Sequence, residues 1–246
     1  MVVCERDHCW GATVKRVAIV GFAPSYVDAP FADPSIAIWT MNYHHLSVPR
    51  TDRIFEMHEW GLVQKEAATN PNLAHDFEVL KTVNVPVYML EMHPDVPTSV
   101  RYPIEFMAQK YTLANADLPY FTNTASYMIA LAIEERFDEI QTYGIDMAHD
   151  TEYGHQRPSC EFFLGVAVGA GIKVTPHRLS DLLKTAMLYG YHDEKRNWFR
   201  EKLAERRKHL MSQRAQHAGQ FEEHKQAIQQ FEGALQDLDH IAKVWG

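Results

Sequence analysis

The chain reads as an α/β protein: a mostly parallel, Rossmann-like sheet flanked by helices, followed by a long C-terminal helical coiled-coil tail. Three observations predict this. Short continuous apolar runs, the signature of strands buried on both faces, recur along the first 190 or so residues and alternate with helical stretches. Composition is that of a globular protein, 46% hydrophobic and 23% charged. From about His192 glycine and proline almost vanish while charged residues and glutamine dominate. The expected division is therefore 1–191 for the α/β domain and 192–246 for a helical oligomerisation tail.

The first strand is expected within Val14–Phe22, where Val-Ala-Ile-Val runs into Gly21. Ile36–Met41, Arg53–Met57, Val85–Leu90, Glu139–Tyr143 and Ile172–Thr175 read as further strands. Thr124–Arg136 is the clearest helix, with Tyr127, Ile129, Ala130, Ala132 and Ile133 on its apolar face. Ser159–Ala170 is another, N-capped by Ser159 or by the preceding turn and stopped by Gly169 and Gly171. Strands alternating with helices imply a parallel sheet with ligands at the strand C-terminal ends. In the tail, His217, Phe221, His224, Ile228, Phe231, Leu235, Leu238, Ala242 and Trp245 follow alternating steps of four and three, a heptad seam. Gly219 marks where such a helix would bend if the tail folded back on itself.

Net charge is −8, unevenly spread. Residues 1–191 carry 14 Lys and Arg against 23 Asp and Glu, whereas Lys195–Arg214 is locally basic. The acidic body argues against broad nucleic-acid binding, which needs a basic face. There is no apolar run long enough to span a bilayer and no basic-then-apolar leader, so a cytoplasmic location is expected. Three cysteines, Cys4, Cys9 and Cys160, fit a reducing compartment better than a disulfide framework. Cys4 and Cys9 near His8 read as a frayed terminus rather than a metal site.

Polar residues cluster where the strands end. Gly21-Phe-Ala-Pro-Ser25 offers a glycine for close backbone approach and a hydroxyl for phosphate or helix capping, without a Walker or Gly-x-Gly-x-x-Gly pattern. On that reading Gly21→Val blocks ligand approach and spares the fold. Asn42 has donor and acceptor groups suited to a base or ribose, and His44 and His45 can serve as acid, base or ligand. Glu56-Met-His58-Glu59 adds a polar cluster without a zinc signature. Asn123-Thr124-Ala125-Ser126 opens a helix, whose free N–H groups suit an anion or ordinary capping. Gly144-Ile-Asp146 follows a strand, and Asp146 is placed for ribose hydroxyls or a metal. His155, near Tyr153 and Arg157, is placed as a general base. The one Asp-x-Asp triplet, Asp237-Leu-Asp239, lies in the tail, so no metal site of that type is expected.

These segments, in this order over about residues 16–185, resemble glycosyltransferase family 42, bacterial sialyltransferases that use CMP-sugars. Its glycine-Pro-Ser loop is matched by Gly21, Pro24 and Ser25, its Asn after the second strand by Asn42, and its Thr-Ser-Gly-x-Tyr-Met helix start in part by Asn123–Met128. Gly144-Ile-Asp146, His155, and Val174-Thr-Pro176 with Ser180 complete the match, while Phe22 and Ala125 depart from it. The loop pattern is also similar to hydroxymethylpterin pyrophosphokinase-like proteins, and the whole chain resembles uncharacterised tailed-phage proteins, which would place it in host cytoplasm.

The resemblance implies a glycosyltransferase-A-like domain performing inverting, nucleotide-sugar-dependent transfer, from a CMP-sugar or other donor, without a required metal. His155 is the implied base, Ser25, Thr124 and Tyr153 the phosphate ligands, and Asn42, Gly144 and Asp146, with the Gly21 loop, the nucleoside site. The acceptor is a hydroxyl, on a glycan or a modified DNA base. Two other classes stay open. Pyrophosphoryl transfer would need a metal on Asp146, Asp150 and Glu56. A noncatalytic nucleotide-binding assembly module would have the tail as its working part.

Overall fold

The computed structural model describes residues 14–147, 154–185 and 197–245. The chain divides into two compact units, Met1–Lys184 and Thr185–Gly246. The boundary expected at 191/192 and the cysteines at 4 and 9 lie outside the described residues.

The first unit is built on seven strands: β1 Arg16–Val20, β2 Ile36–Met41, β3 Arg53–Glu56, β4 Val87–Met89, β5 Ser99–Arg101, β6 Glu139–Tyr143 and β7 Lys173–Pro176. They form one sheet in the order β5-β4-β3-β2-β1-β6-β7, and each pairing is parallel. Six of the seven follow the apolar runs. The edge strand β5 was not expected, because Ser-Val-Arg is three residues long, has no apolar run and is at best half-buried. The helices are α1 Trp60–Thr69, α2 Pro71–Leu80, α3 Ile104–Tyr111, α4 Thr124–Glu134 and α5 Arg157–Gly169. Short 3-10 turns, Pro24–Asp28 and Asn42–Ser47, follow β1 and β2.

Alternation along the strands explains why both faces are covered. Val17 and Ile19 of β1 point to one face with Trp39, Phe55 and Ile140, against Met128, Ile129 and Ala132 of α4 and Phe163 of α5. Ala18 and Val20 point to the other with Ile36 and Ile38, under Tyr26 and Phe31 of the β1–β2 connection. On that second face Ile54, Val87 and Met89 pack with Trp60 of α1 and Leu80 of α2. Each fully buried side chain of this size contributes roughly 1.5–3 kcal/mol, so the central strands are the anchor of the fold.

The α4 cap is Asn123, whose side chain accepts from the Ser126 N–H at 3.0 Å. Ser159 is not the cap of α5. The helix begins at Arg157 with Pro158 in its first turn, and the Ser159 hydroxyl donates instead to the Tyr120 carbonyl at 2.5 Å. Gly171 follows α5 with φ 81°, the left-handed conformation that ends helices.

The second unit holds α6, Asn197–Trp245, 49 residues of unbroken helix passing straight through Gly219 and spanning roughly 70 Å. Its apolar residues are open: Phe221 is 66%, Ile228 58% and Phe231 71% exposed. No helix of the described residues is long and apolar enough to cross a membrane.

The sheet's centre depends on two glycines. Gly21 N–H donates to the Tyr143 carbonyl at 2.8 Å, and Ala23 N–H to the Gly144 carbonyl at 2.9 Å. A Cβ on Gly21 would meet the Gly144 oxygen at 2.6 Å, and one on Gly144, where φ is +64°, would meet the Gly21 oxygen at 2.0 Å. Gly21 is therefore required by the neighbouring strand end, which corrects the expectation that Gly21→Val would spare the fold. Both Gly21→Val and Gly144→Ala should lower stability by about 3 kcal/mol or more, read as a large fall in the urea midpoint. A midpoint near wild type in either variant would refute this packing constraint.

Candidate functional site

The chain reverses its direction of travel between β1 and β6: β2 to β5 lie on one side and β6 and β7 on the other. Such a switch point opens a crevice at the strand C-terminal ends. Ser25 crosses it. Its buried hydroxyl donates to Asp146 Oδ1 at 2.5 Å and accepts from the Gly144 N–H at 2.9 Å. The loop after β6 is further held by Ser180, whose hydroxyl donates to the Ile145 carbonyl at 2.7 Å, and by the Asp181 N–H on the Asp146 carbonyl at 2.8 Å. Ser25, Gly144, Asp146 and Ser180, far apart in the chain, are thus one knot.

This geometry gives two expected ligands partners within the protein. The Ser25 proton is spent on Asp146, so Ser25 cannot serve as a phosphate donor as arranged. Gly144 uses both its N–H and its carbonyl within the protein. What they hold is Asp146, which keeps Oδ2 as an acceptor in a half-buried position. Met147 beside it has φ 45°, and Asn42 at the end of β2 has φ 50°. Left-handed non-glycine residues after β2 and β6, the two strands that flank β1, are strain of the kind that gathers at functional sites. Asn42 Oδ1 is also buried without a hydrogen-bond partner.

The β2 loop leans on the β1 loop through rings. Phe22 lies 5.2 Å from Tyr43 and 4.7 Å from His44, and Tyr26 meets His44 edge-on at 4.7 Å. His44 is 2% exposed and its Nε2 has no partner. Burial, with the neighbouring His45, pushes it down to about 4, so it is neutral. His44 is packed between the rings of Phe22 and Tyr26.

At the end of β3, buried Glu56 accepts through Oε1 from His58 Nδ1 at 2.6 Å and from the His58 N–H at 3.2 Å. That hydrogen bond raises His58 against the effect of its burial, with Glu56 and Glu66 adding attraction. The pair lines a cavity of about 200 Å³ shared with Asn42, Tyr43 and the α1–α2 helices. Strand spacing of roughly 4.8 Å sets the ends of β3 and β6 about 14 Å apart. Glu56 and Asp146 are each committed to a partner on their own side and do not converge on one ion. Among the described residues no three His, Cys, Asp or Glu side chains do. Asp150, the third ligand of the pyrophosphoryl reading, lies outside the described residues, as does Tyr153.

The N-terminus of α4 and the loop bearing His155 are brought together. Asn123 Nδ2 donates to the Gln156 carbonyl at 2.9 Å, and the Thr122 hydroxyl to the His155 carbonyl at 3.2 Å. Thr124 opens the helix, and the His155 side chain is exposed. Asn123 and Ser180 were not expected as site residues, although both lie within the motifs after the strands. The capping spacing from Asn123 to Ser126 was the legible signal for the first.

No protein-family model matches the sequence, and no curated protein matches it as a relative. Solved structures of a sialyltransferase are similar to it at low levels. The Campylobacter jejuni sialyltransferase CstII with the substrate analogue CMP-3FNeuAc is 13% identical, with 66% of this chain and 79% of that chain covered and a TM-score of 0.42. The same enzyme with cytidine-5'-monophosphate is 12% identical over 76% and 99%, with a TM-score of 0.43.

The His44 environment fixes a pH response. Its lowered value means stability fully present above about 6.5 and lost as pH falls toward 4, because the unfolded chain takes up a proton that the folded chain refuses. The full effect is about 3 kcal/mol. His44→Phe, filling the space between Phe22 and Tyr26, should flatten melting temperature against pH over that window. An unchanged acid limb would show that His44 does not govern it.

Proposed function

We propose that the chain is a nucleotide-sugar-dependent glycosyltransferase that inverts configuration and acts on an acceptor hydroxyl. One observation carries the reading. The loop after β6 holds a carboxylate, Asp146, whose Oδ2 has no partner among the described residues, the loop after β2 carries Asn42, and a separate capped helix start, at Thr124, is tied to the loop of an exposed histidine, His155. Those are the groups such a transfer requires: acceptors for a nucleoside, an anion site and a base.

In this reading Asp146 and Asn42 take the nucleoside, with Ser25 and Gly144 bracing Asp146. The first turn of α4 at Thr124, with Tyr153, takes the phosphate. His155 removes the proton of the acceptor hydroxyl. The acceptor oxygen then bonds to the anomeric carbon as the bond from that carbon to the phosphate oxygen breaks. The electron pair stays on the departing nucleotide, where the positive end of α4 stabilises it. The acceptor class is a glycan or a modified DNA base.

Nucleotide binding is the first check. CMP, UDP, GDP and ADP at 100 times their dissociation constants should stabilise the fold by about 2.7 kcal/mol. If none shifts the melting temperature, the reading fails. Given a turning-over donor, His155→Ala should lose about 10²–10⁴-fold in rate while keeping nucleotide affinity. Wild-type turnover in that variant would remove His155 from the mechanism.

The reading includes self-association through α6. An unbroken helix leaves its own second half unable to cover the first, and Phe221, Ile228, Phe231, Leu235 and Leu238 are all more than half exposed. An apolar seam of that length calls for another helix, supplied by a second copy. Light scattering should give a dimer or larger assembly for the full chain and a monomer for Ile228→Glu with Leu235→Glu. A monomeric wild type would end the proposal.

A further inference from the structure

The cavity beside the crevice has its own chemistry. At about 200 Å³ it is smaller than the roughly 300–1,000 Å³ of sites for drug-sized ligands and suits one ring. It lies at the ends of β2 and β3, between Asn42 and the paired helices α1 and α2. Leu62 and Val63 give it an apolar wall. Opposite chemistry comes from Glu56, whose bonds from His58 both end on Oε1, leaving Oε2 as an acceptor among the described residues. With Nδ1 engaged by Glu56, His58 turns its Nε2 to other partners. Bonded to Glu56 through Nδ1, a protonated His58 offers Nε2 as a donor. An acceptor and a donor two residues apart, beside an apolar wall, suit neighbouring hydroxyls on a ring with a C–H face.

The charge of the lining is the selective feature. Glu56 and Glu66 line the cavity, and neither Lys nor Arg does. A ligand carboxylate would face two carboxylates with no guanidinium or ammonium to receive it, and the one imidazole with raised proton affinity, His58, is already bonded to Glu56. We infer that this cavity binds the sugar ring of the substrate and that the sugar is a neutral one, with acidic sugars excluded by Glu56 and Glu66. This rests on the glycosyltransferase reading for the sugar's place in a reaction, and the binding itself can be measured apart from it.

The test uses the full chain and matched monosaccharides, glucose with glucuronate and galactose with galacturonate, followed by ligand-observed NMR titration. In at least one pair the neutral member should bind saturably and at least tenfold more tightly than its acid. Leu62→Trp, at an exposed position on the cavity wall, should abolish that binding. Glu56→Gln with Glu66→Gln should narrow the gap to threefold or less. An acid that binds as tightly as its neutral partner overturns the inference, and so does the absence of saturable binding in every pair. Discrimination that survives the double substitution, or binding that survives Leu62→Trp, overturns it as well. Nucleotide titration in parallel keeps the outcomes separate: nucleotides that bind while sugars fail leave the glycosyltransferase reading standing, and the reverse removes that reading while leaving the cavity's preference intact.

Discussion

The backbone contact between Gly21 and Gly144 sets the geometry of the strand ends at the centre of the sheet. Two parallel strands can end this close only if neither carries a Cβ, since the added atoms would meet carbonyl oxygens at 2.6 and 2.0 Å. That closeness lets one hydroxyl, Ser25, reach both the Gly144 N–H and the Asp146 carboxylate. A buried hydroxyl that donates once and accepts once is well satisfied, so it fixes the orientation of the carboxylate instead of competing for a ligand. The placement of the Asp146 carboxylate, with Oδ2 unpartnered among the described residues, is therefore a product of strand packing.

A second tie works by the same logic at the other side of the site. Asn123 closes the first turn of α4 with its oxygen and holds the Gln156 carbonyl with its nitrogen. The Cys160 thiol, pushed up to about 12 by burial, donates to the same Asn123 oxygen at 3.2 Å. One amide thus couples a helix start suited to an anion with the loop that presents His155. In the proposed transfer a base on that loop would depend on such a tie, because a small displacement of the base costs rate steeply.

The polar groups at the strand ends have divided their tasks according to burial. His44, sealed between Phe22 and Tyr26, is neutral and structural. His58, more open and bonded to Glu56, keeps its proton more readily than a free imidazole. Two histidines that look equivalent as residue types are thus pushed in opposite directions, one by desolvation and the other by a carboxylate.

Sequence by itself determined the α/β class, six of the seven strands, the two helices with clear apolar faces and the long tail helix. Period and composition are local properties, and buried parallel strands and heptads write them plainly. It also marked the segments that meet at the crevice, since small and polar residues after apolar runs are visible in one dimension. Tertiary structure alone decided what those residues do. That Gly21 answers to Gly144, that the Ser25 proton goes to Asp146, that Ser159 bonds Tyr120 instead of capping its helix, and that Glu56 and Asp146 stand too far apart for one ion all depend on partners distant in the chain. The short edge strand β5 was invisible for a related reason: its pairing comes from β4 beside it, and three residues carry no pattern of their own.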